Sequence, residues 1–189
     1  MAETFTKLAT VTLPSAYKTI TFSSISQNYS SLVLIGSAKL TSTTSYYGVI
    51  AVYFNTTSAT SSYNAANFEN NTTTVVGQKE AGTNYFRIDC PQNAASNNAN
   101  EFSSMYMTIN KYSTTGYKPV HLHNAMPIQS TNLFQDIRAG LYNNSNAITS
   151  IILYVPDTGV NMAANTTFTL YGIGQSGSTN TGTATGTYS

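Results

Sequence analysis

Two histidines one residue apart, His121 and His123, are the only titratable pair in this 189-residue chain with the character of metal ligands. On a β-strand, residues i and i+2 point to the same face, so both imidazoles could reach one metal ion. Three such pairs around a threefold axis would supply six nitrogens, an octahedral set suited to iron or nickel. No Cys, Glu or third His lies near them in sequence to complete a site within one chain. The simpler reading is two exposed or hydrogen-bonded histidines beside Pro119.

Other chemistry is thinly provided for. The carboxylates Glu3, Glu69, Glu80, Asp89, Glu101, Asp136 and Asp157 are spread over the whole chain. Glycoside hydrolysis needs two carboxyls ~5–9 Å apart across a cleft, and nothing in this spacing marks such a pair. Asp136 and Arg138, on alternate positions of one strand, read as a surface ion pair. A serine nucleophile sits in a Gly-x-Ser-x-Gly turn, and the nearest string, Gly174-Gln-Ser-Gly177, lacks that pattern. Cys90 precedes Pro91 with no helix after it to lower its pKa, and reads as a small buried hydrophobe. No glycine loop of the phosphate-binding kind is present. The expectation is a protein without catalysis and without a cofactor, an inter-subunit metal at His121 and His123 being the alternative.

The 14 tyrosines, with no tryptophan, offer a different chemistry. Tyrosine presents an apolar face and a polar tip, so a group of them can stack on a sugar. Tyr46, Tyr47, Tyr53 and Tyr63 bracket an irregular region and are the candidates for a glycan or partner contact. Tyrosine is also a favoured strand and interface residue, which accounts for the same positions without any sugar.

Composition sets the frame for these side chains. Apolar residues make up 41% of the chain, enough for one domain with a real core and no disulfide framework, there being a single cysteine. Charged residues are only 8%, against roughly 25% in ordinary soluble domains. Thr, Ser and Asn, 72 residues together, take their place, giving a surface that bonds with little dependence on ionic strength. Net charge is +1 and the eight Lys/Arg are scattered singly, so a nucleic-acid partner is not expected. No stretch reaches the ~18 apolar residues of a membrane-spanning helix, and the N-terminus has no secretory pattern. The six Asn-x-Ser/Thr strings, at Asn28, Asn55, Asn70, Asn71, Asn143 and Asn165, are what chance gives in such a composition.

The elements that must position these residues are strands throughout. Tyr17 to Phe22 alternates, Leu32 to Leu40 begins as a strand buried on both faces, and Tyr46 to Phe54 follows. Residues 55–83 form the least regular part, a polar insertion of the kind that is often functional or interfacial. Strands resume at Tyr85–Asp89, Phe102 to Tyr112, Pro119 to Asn124, Leu133 to Tyr142 and Ala147 to Val155. In the Leu133 to Tyr142 stretch Ile137, Ala139 and Leu141 share one face, opposite Asp136 and Arg138. The last strand, Phe168 to Ile173, is followed by a tail of Gly, Ser, Thr, Asn and Ala. Eight to ten strands without a helix predict an all-β, antiparallel, jelly-roll-like β-sandwich with an extended C-terminal tail. The expected division is an N-terminal strand or docking arm over 1–16, the sandwich over 17–174, and the tail over 175–189. A free tail of this composition stays disordered, so contacts with a neighbour through Gly174, Gln175 and Tyr188 are expected to order it.

The strands Ile20-Thr-Phe-Ser-Ser-Ile25 and Tyr29-Ser-Ser-Leu-Val-Leu34, the strand end Phe54-Asn55, the late strand Ile148-Thr-Ser-Ile-Ile-Leu-Tyr154 and the closing Phe168-Thr-Leu-Tyr-Gly-Ile173 occur in one order over residues 17–174. In this the chain resembles small tail-fibre and virion structural proteins of tailed phages, cyanophages among them. The resemblance implies a non-enzymatic, usually trimeric β-domain on a virion, made in the host cytoplasm. Its partners would be copies of itself and other virion proteins, with a host surface glycan as the alternative for an adhesin head. The chain departs from longer fibres in having no upstream shaft, which favours a small subunit of the tail apparatus or a capsid decoration.

Overall fold

Period-two alternation of apolar and polar residues folds the chain into two antiparallel sheets, as seen in a computed structural model that describes residues 4–58, 62–71, 74–92, 100–128, 132–174 and 182–189. The larger sheet runs, edge to edge, β1 (Thr4–Thr12), β12 (Thr167–Gly174), β3 (Ser31–Ala38), β8 (Ser103–Asn110), β9 (Lys118–Ile128), β10 (Asn132–Tyr142), β5 (Tyr63–Asn71) and β6 (Thr74–Thr83). The smaller runs β13 (Thr185–Tyr188), β2 (Thr19–Ser23), β11 (Ile151–Tyr154), β4 (Tyr47–Phe54) and β7 (Phe86–Pro91). Each sheet turns one apolar face inward, and their facing sides form one core in a sandwich-like arrangement. Ile20 and Phe22 of β2, Ile50 and Val52 of β4 and Leu153 of β11 share that core with Leu34 of β3, Met107 of β8 and Leu170 of β12, all fully buried. Burying each such side chain is worth about 1.5–3 kcal/mol.

The closing Phe168-to-Ile173 strand has a glycine where it does for a steric reason. A Cβ on Gly172 would stand 2.5 Å from the Tyr29 ring, which lies across the strand at that point. Val33 is buried together with Leu32 and Leu34, so the first half of β3 is covered on both faces as its continuous apolar run predicts, while Ile35 beyond it is exposed.

Two hairpins extend the larger sheet. In sequence β5–β6 lies between β4 and β7, and β9–β10 lies between β8 and β11. The hairpins pair with each other through β10 and β5 and carry the sheet beyond β8. The smaller sheet ends at β7, which touches β8 and β9, so β10, β5 and β6 project past its edge. Four rings, Phe54, Tyr63, Phe86 and Tyr142, fasten the extension to the core with centroids 5.0–5.9 Å apart. Tyr63 Oη also accepts the Phe54 backbone N–H at 2.8 Å.

The region expected to be irregular, 55–83, is therefore mostly the β5–β6 hairpin. The strand expected over Pro119 to Asn124 extends to eleven residues, with Pro119 and Pro127 just outside the stretch that pairs with β8, where a missing N–H costs no ladder bond on that side. Residues 4–12, expected as a strand or arm, are β1, paired with β12 along its length.

At the end of the tail, Thr185–Tyr188 forms β13, paired with β2 of its own domain. Ser189 exchanges backbone hydrogen bonds with Thr19 at 2.9 and 3.1 Å, and Tyr188 packs on Tyr17 with centroids 4.4 Å apart. Gln175 lies outside the described residues. We predict that removing residues 182–189 leaves a folded domain of lower stability, because the ladder to β2 together with the packing of Tyr188 on Tyr17 and of Ala184 on the core outweighs the entropy of ordering eight residues. Urea unfolding of the truncated and full chains measures this, and equal midpoints would show that β13 adds nothing.

Candidate functional site

The sheet extension gathers the distinctive side chains of this protein, on both of its faces. On β10 the polarity is the reverse of the expected one. Asp136 and Arg138 are not a surface pair: they are 0% and 2% exposed and point inward, while Leu133, Ile137 and Ala139 face out. The reason lies in β7. Its Phe86, Ile88 and Cys90 join the main core, which turns Arg87 and Asp89 the other way, toward the inner face of the extension. Charges on β7 and β10 thus find each other, and burial without such partners would be prohibitive.

Arg138 is the hub. Its Nε bonds Asp136 Oδ2, its Nη1 lies 3.0 Å from Glu80 Oε2 on β6, and its Nη2 lies 3.6 Å from Asp89 Oδ2. Arg87 holds the other Asp89 oxygen through Nη2 at 2.6 Å and Nε at 2.7 Å. Glu69 on β5 stands directly across from Asp136 and accepts from Gln78 Nε2 at 3.0 Å and Asn67 Nδ2 at 3.3 Å. Asn124 on β9, opposite Asp136 on its other side, donates to the Asp89 carbonyl at 2.7 Å. Three carboxylates, Asp89, Asp136 and Glu80, thus share two guanidiniums, and Glu69 beside them is held by amides.

Burial governs the titration of the cluster. Burial pushes the Asp136 carboxyl up to about 6; Arg138 opposes this, and the nearby Asp89 and Glu69 charges add to it. Burial also raises Asp89, against Arg87 and Arg138. The sign follows directly. Between the ~4 of an unfolded aspartate and about 6, the folded chain keeps a proton that the unfolded chain has lost. This stabilisation is full below pH ~4 and is lost as pH rises to about 6. We therefore predict an unfolding free energy, measured by urea titration, lower at pH 7 than at pH 5 by about 1 kcal/mol, with Asp136→Asn flattening the dependence. A slope unchanged by that substitution would contradict the assignment.

The outer face of the same sheet is open and carries exposed apolar and aromatic side chains among Thr, Ser, Asn, Gln and His. Register places Thr169, Ile35, Tyr106, His123, Ile137, Phe68 and Gly77 in one row across six of the neighbouring strand pairings, from β12 to β6. Ile35, Tyr106, Ile137 and Phe68 are exposed, Phe68 by 65%, and Val75 and Leu133 are exposed beside them. No carboxylate occupies an outward position on the described strands of this sheet; the inward positions take them all. Lys7 and Lys79 are its only full charges, at opposite edges.

His121 and His123 both lie on this outer face, exposed, as their spacing predicts. His123 stands between Tyr106 and Ile137, and His121 between Thr108 and Ala139. Among the described residues no group of three His, Cys, Asp or Glu could hold a metal. Cys90 is fully buried, its thiol pushed up to about 12 by burial and 3.6 Å from Ser103 Oγ. Such a thiol is no nucleophile.

The four tyrosines named from sequence do not come together. Tyr46 and Tyr47 are exposed, Tyr47 stacking on Phe134 at 5.9 Å, whereas Tyr53 is nearly buried and Tyr63 fully so. Tyr63 cannot touch a ligand from outside. The residue that sequence reasoning passed over is Tyr85, whose ring packs 5.6 Å from Tyr53 at the β6–β7 turn. It lines a cavity of about 260 Å³ with Glu80, Gly82, Thr83, Asn84 and Arg87. The signal was present in the sequence as Thr83-Asn-Tyr-Phe-Arg87, but the ion pair that aims Glu80 is made with Arg138 of β10 and could not be read locally.

Comparison with protein-family models, with curated proteins and with solved structures finds no match to this chain.

Proposed function

We propose that this chain is a non-enzymatic structural subunit of a tailed-phage virion, in the tail-fibre apparatus or as a capsid decoration, that oligomerises through the outer face of its larger sheet. The strand order supports a jelly-roll reading of the domain: β1-β12-β3-β8 against β2-β11-β4-β7 is the order that two interlocked Greek keys produce. The β5–β6 and β9–β10 hairpins are then insertions that widen one sheet, and β13 is an added edge.

The observation that carries the assembly reading is the exposed row of Ile35, Tyr106, Ile137 and Phe68. Exposed apolar and aromatic side chains gathered on one face mark contact surfaces. A second copy of this chain is the occupant that fits, because the band carries no carboxylate and keeps its two lysines at the margins, so like faces meet without strong repulsion. A trimer is the form that the sequence resemblance favours. The non-catalytic reading is supported by where the clustered carboxylates are, paired to arginines within the sheet layer. Quantitative peptide mapping of gradient-purified particles tests the placement: multiple copies of the chain per particle support it, and absence from the particles refutes it.

A further inference from the structure

We propose that the cavity at the β6–β7 turn is a binding site for a neutral pyranose, a single uncharged sugar ring. The inference stands independently of the assembly reading, because every residue of the cavity comes from one chain. At about 260 Å³ it lies just below the ~300–1,000 Å³ of pockets for drug-sized ligands and suits one ring.

The walls are fixed before any ligand arrives. Gly82, at φ 65°, donates its N–H to Asn64 Oδ1 at 3.0 Å, which fastens the turn to β5. Thr83 Oγ1 lies 3.2 Å from the Tyr63 carbonyl and 3.3 Å from that of Tyr85, so its hydroxyl proton is directed to the backbone. Tyr85 is braced by Tyr53, whose own ring is only 8% exposed and has no room to yield. A side chain held this way loses little freedom on binding, which lowers the cost of association.

The chemistry of the walls selects the ligand. Tyr85 provides an aromatic ring for the apolar C–H face of a sugar. Glu80 supplies acceptors and Arg87 donors, the combination that neighbouring hydroxyls use. Both charges are already matched, Glu80 by Arg138 at 3.0 Å and Arg87 by Asp89 at 2.6 Å. An anionic ligand would meet Glu80 and a cationic one Arg87, whereas an uncharged polyol can bond to both. Asn84 adds an amide on the same wall. This is the convergence of aromatic, acidic and amide groups that the tyrosines Tyr46, Tyr47, Tyr53 and Tyr63 do not achieve.

The test is a chemical-shift titration of the isotope-labelled full chain with a panel of methyl hexopyranosides and one methyl hexuronate. At least one neutral pyranoside should shift the amides of residues 80–87 with a Kd on the order of 1 mM, as for a small ligand of this size. Tyr85→Ala should weaken that binding at least tenfold, and Tyr46→Ala should leave it unchanged. If Tyr85→Ala fails to fold, the map of shifts on the unaltered chain still decides. No shift with any neutral pyranoside, shifts confined to other surfaces, or equal binding of the uronate would each overturn the proposal.

Discussion

Arg138→Met destabilises the domain by about 3–5 kcal/mol at pH 7, a large part of the 5–15 kcal/mol that holds a typical domain together. The substitution keeps most of the side-chain volume and removes only the charge and its donors. Asp136 and Asp89, both 0% exposed, then lose the guanidinium that bridges them, and Glu80 loses its partner on β10. Arg87 remains for Asp89, but among the described residues no ion pair remains for Asp136, which still faces Glu69 across the strand pair. The loss should therefore shrink on acidification, because protonated carboxyls need no counter-charge, and the variant should recover much of its stability by about pH 5. Arg87→Met is the contrast. Its side chain is 30% exposed and touches one carboxylate, so its effect should be markedly smaller. Urea unfolding of both variants at pH 5 and pH 7 measures all four quantities; equal losses for the two arginines would show that Arg138 is not the hub.

Phe68→Glu combined with Ile137→Glu abolishes self-association and leaves the fold nearly intact. The two residues are cross-strand partners in the outer row, toward its β6 end, and are 65% and 38% exposed, so neither contributes much to the core. Surface changes of this kind usually shift stability by no more than about 0.5 kcal/mol. At an interface the same positions are the aromatic and aliphatic anchors, and losing such an anchor costs about 2 kcal/mol or more, some thirtyfold in affinity. The paired carboxylates add repulsion, since each copy brings two into a face that has none. Circular dichroism and thermal unfolding should match the unaltered chain while the assembly is lost. A variant that assembles normally would remove the outer face from the account.

What could be read from the chain and what could not divides along a physical line. Strands whose two faces differ in polarity announced themselves: Phe102 to Tyr112 became β8 with Met105, Met107 and Ile109 inside, and Phe168 to Ile173 became β12. The β5–β6 hairpin was missed because its inward residues include Asn67, Glu69 and Glu80, so alternation shows no apolar face. On β10 the alternation was seen and its sense inverted. Nothing local says that Asp136 and Arg138 are the buried face; that depends on Asp89 and Arg87 arriving from β7, some fifty residues away in sequence. The pairing of the C-terminal residues with β2 was hidden for a related reason, since Thr-Gly-Thr-Tyr carries little side-chain signal and is held by backbone bonds. His121 and His123 were placed correctly on one exposed face, because the period of a strand alone fixes it.

Sedimentation equilibrium of the purified full chain over a wide concentration range, beside the Phe68→Glu/Ile137→Glu variant, tests most directly whether this protein is an assembly subunit. The account predicts a species of three times the 20.3 kDa chain for the unaltered protein and the single-chain mass for the variant. A single-chain mass for the unaltered protein at every concentration would contradict it.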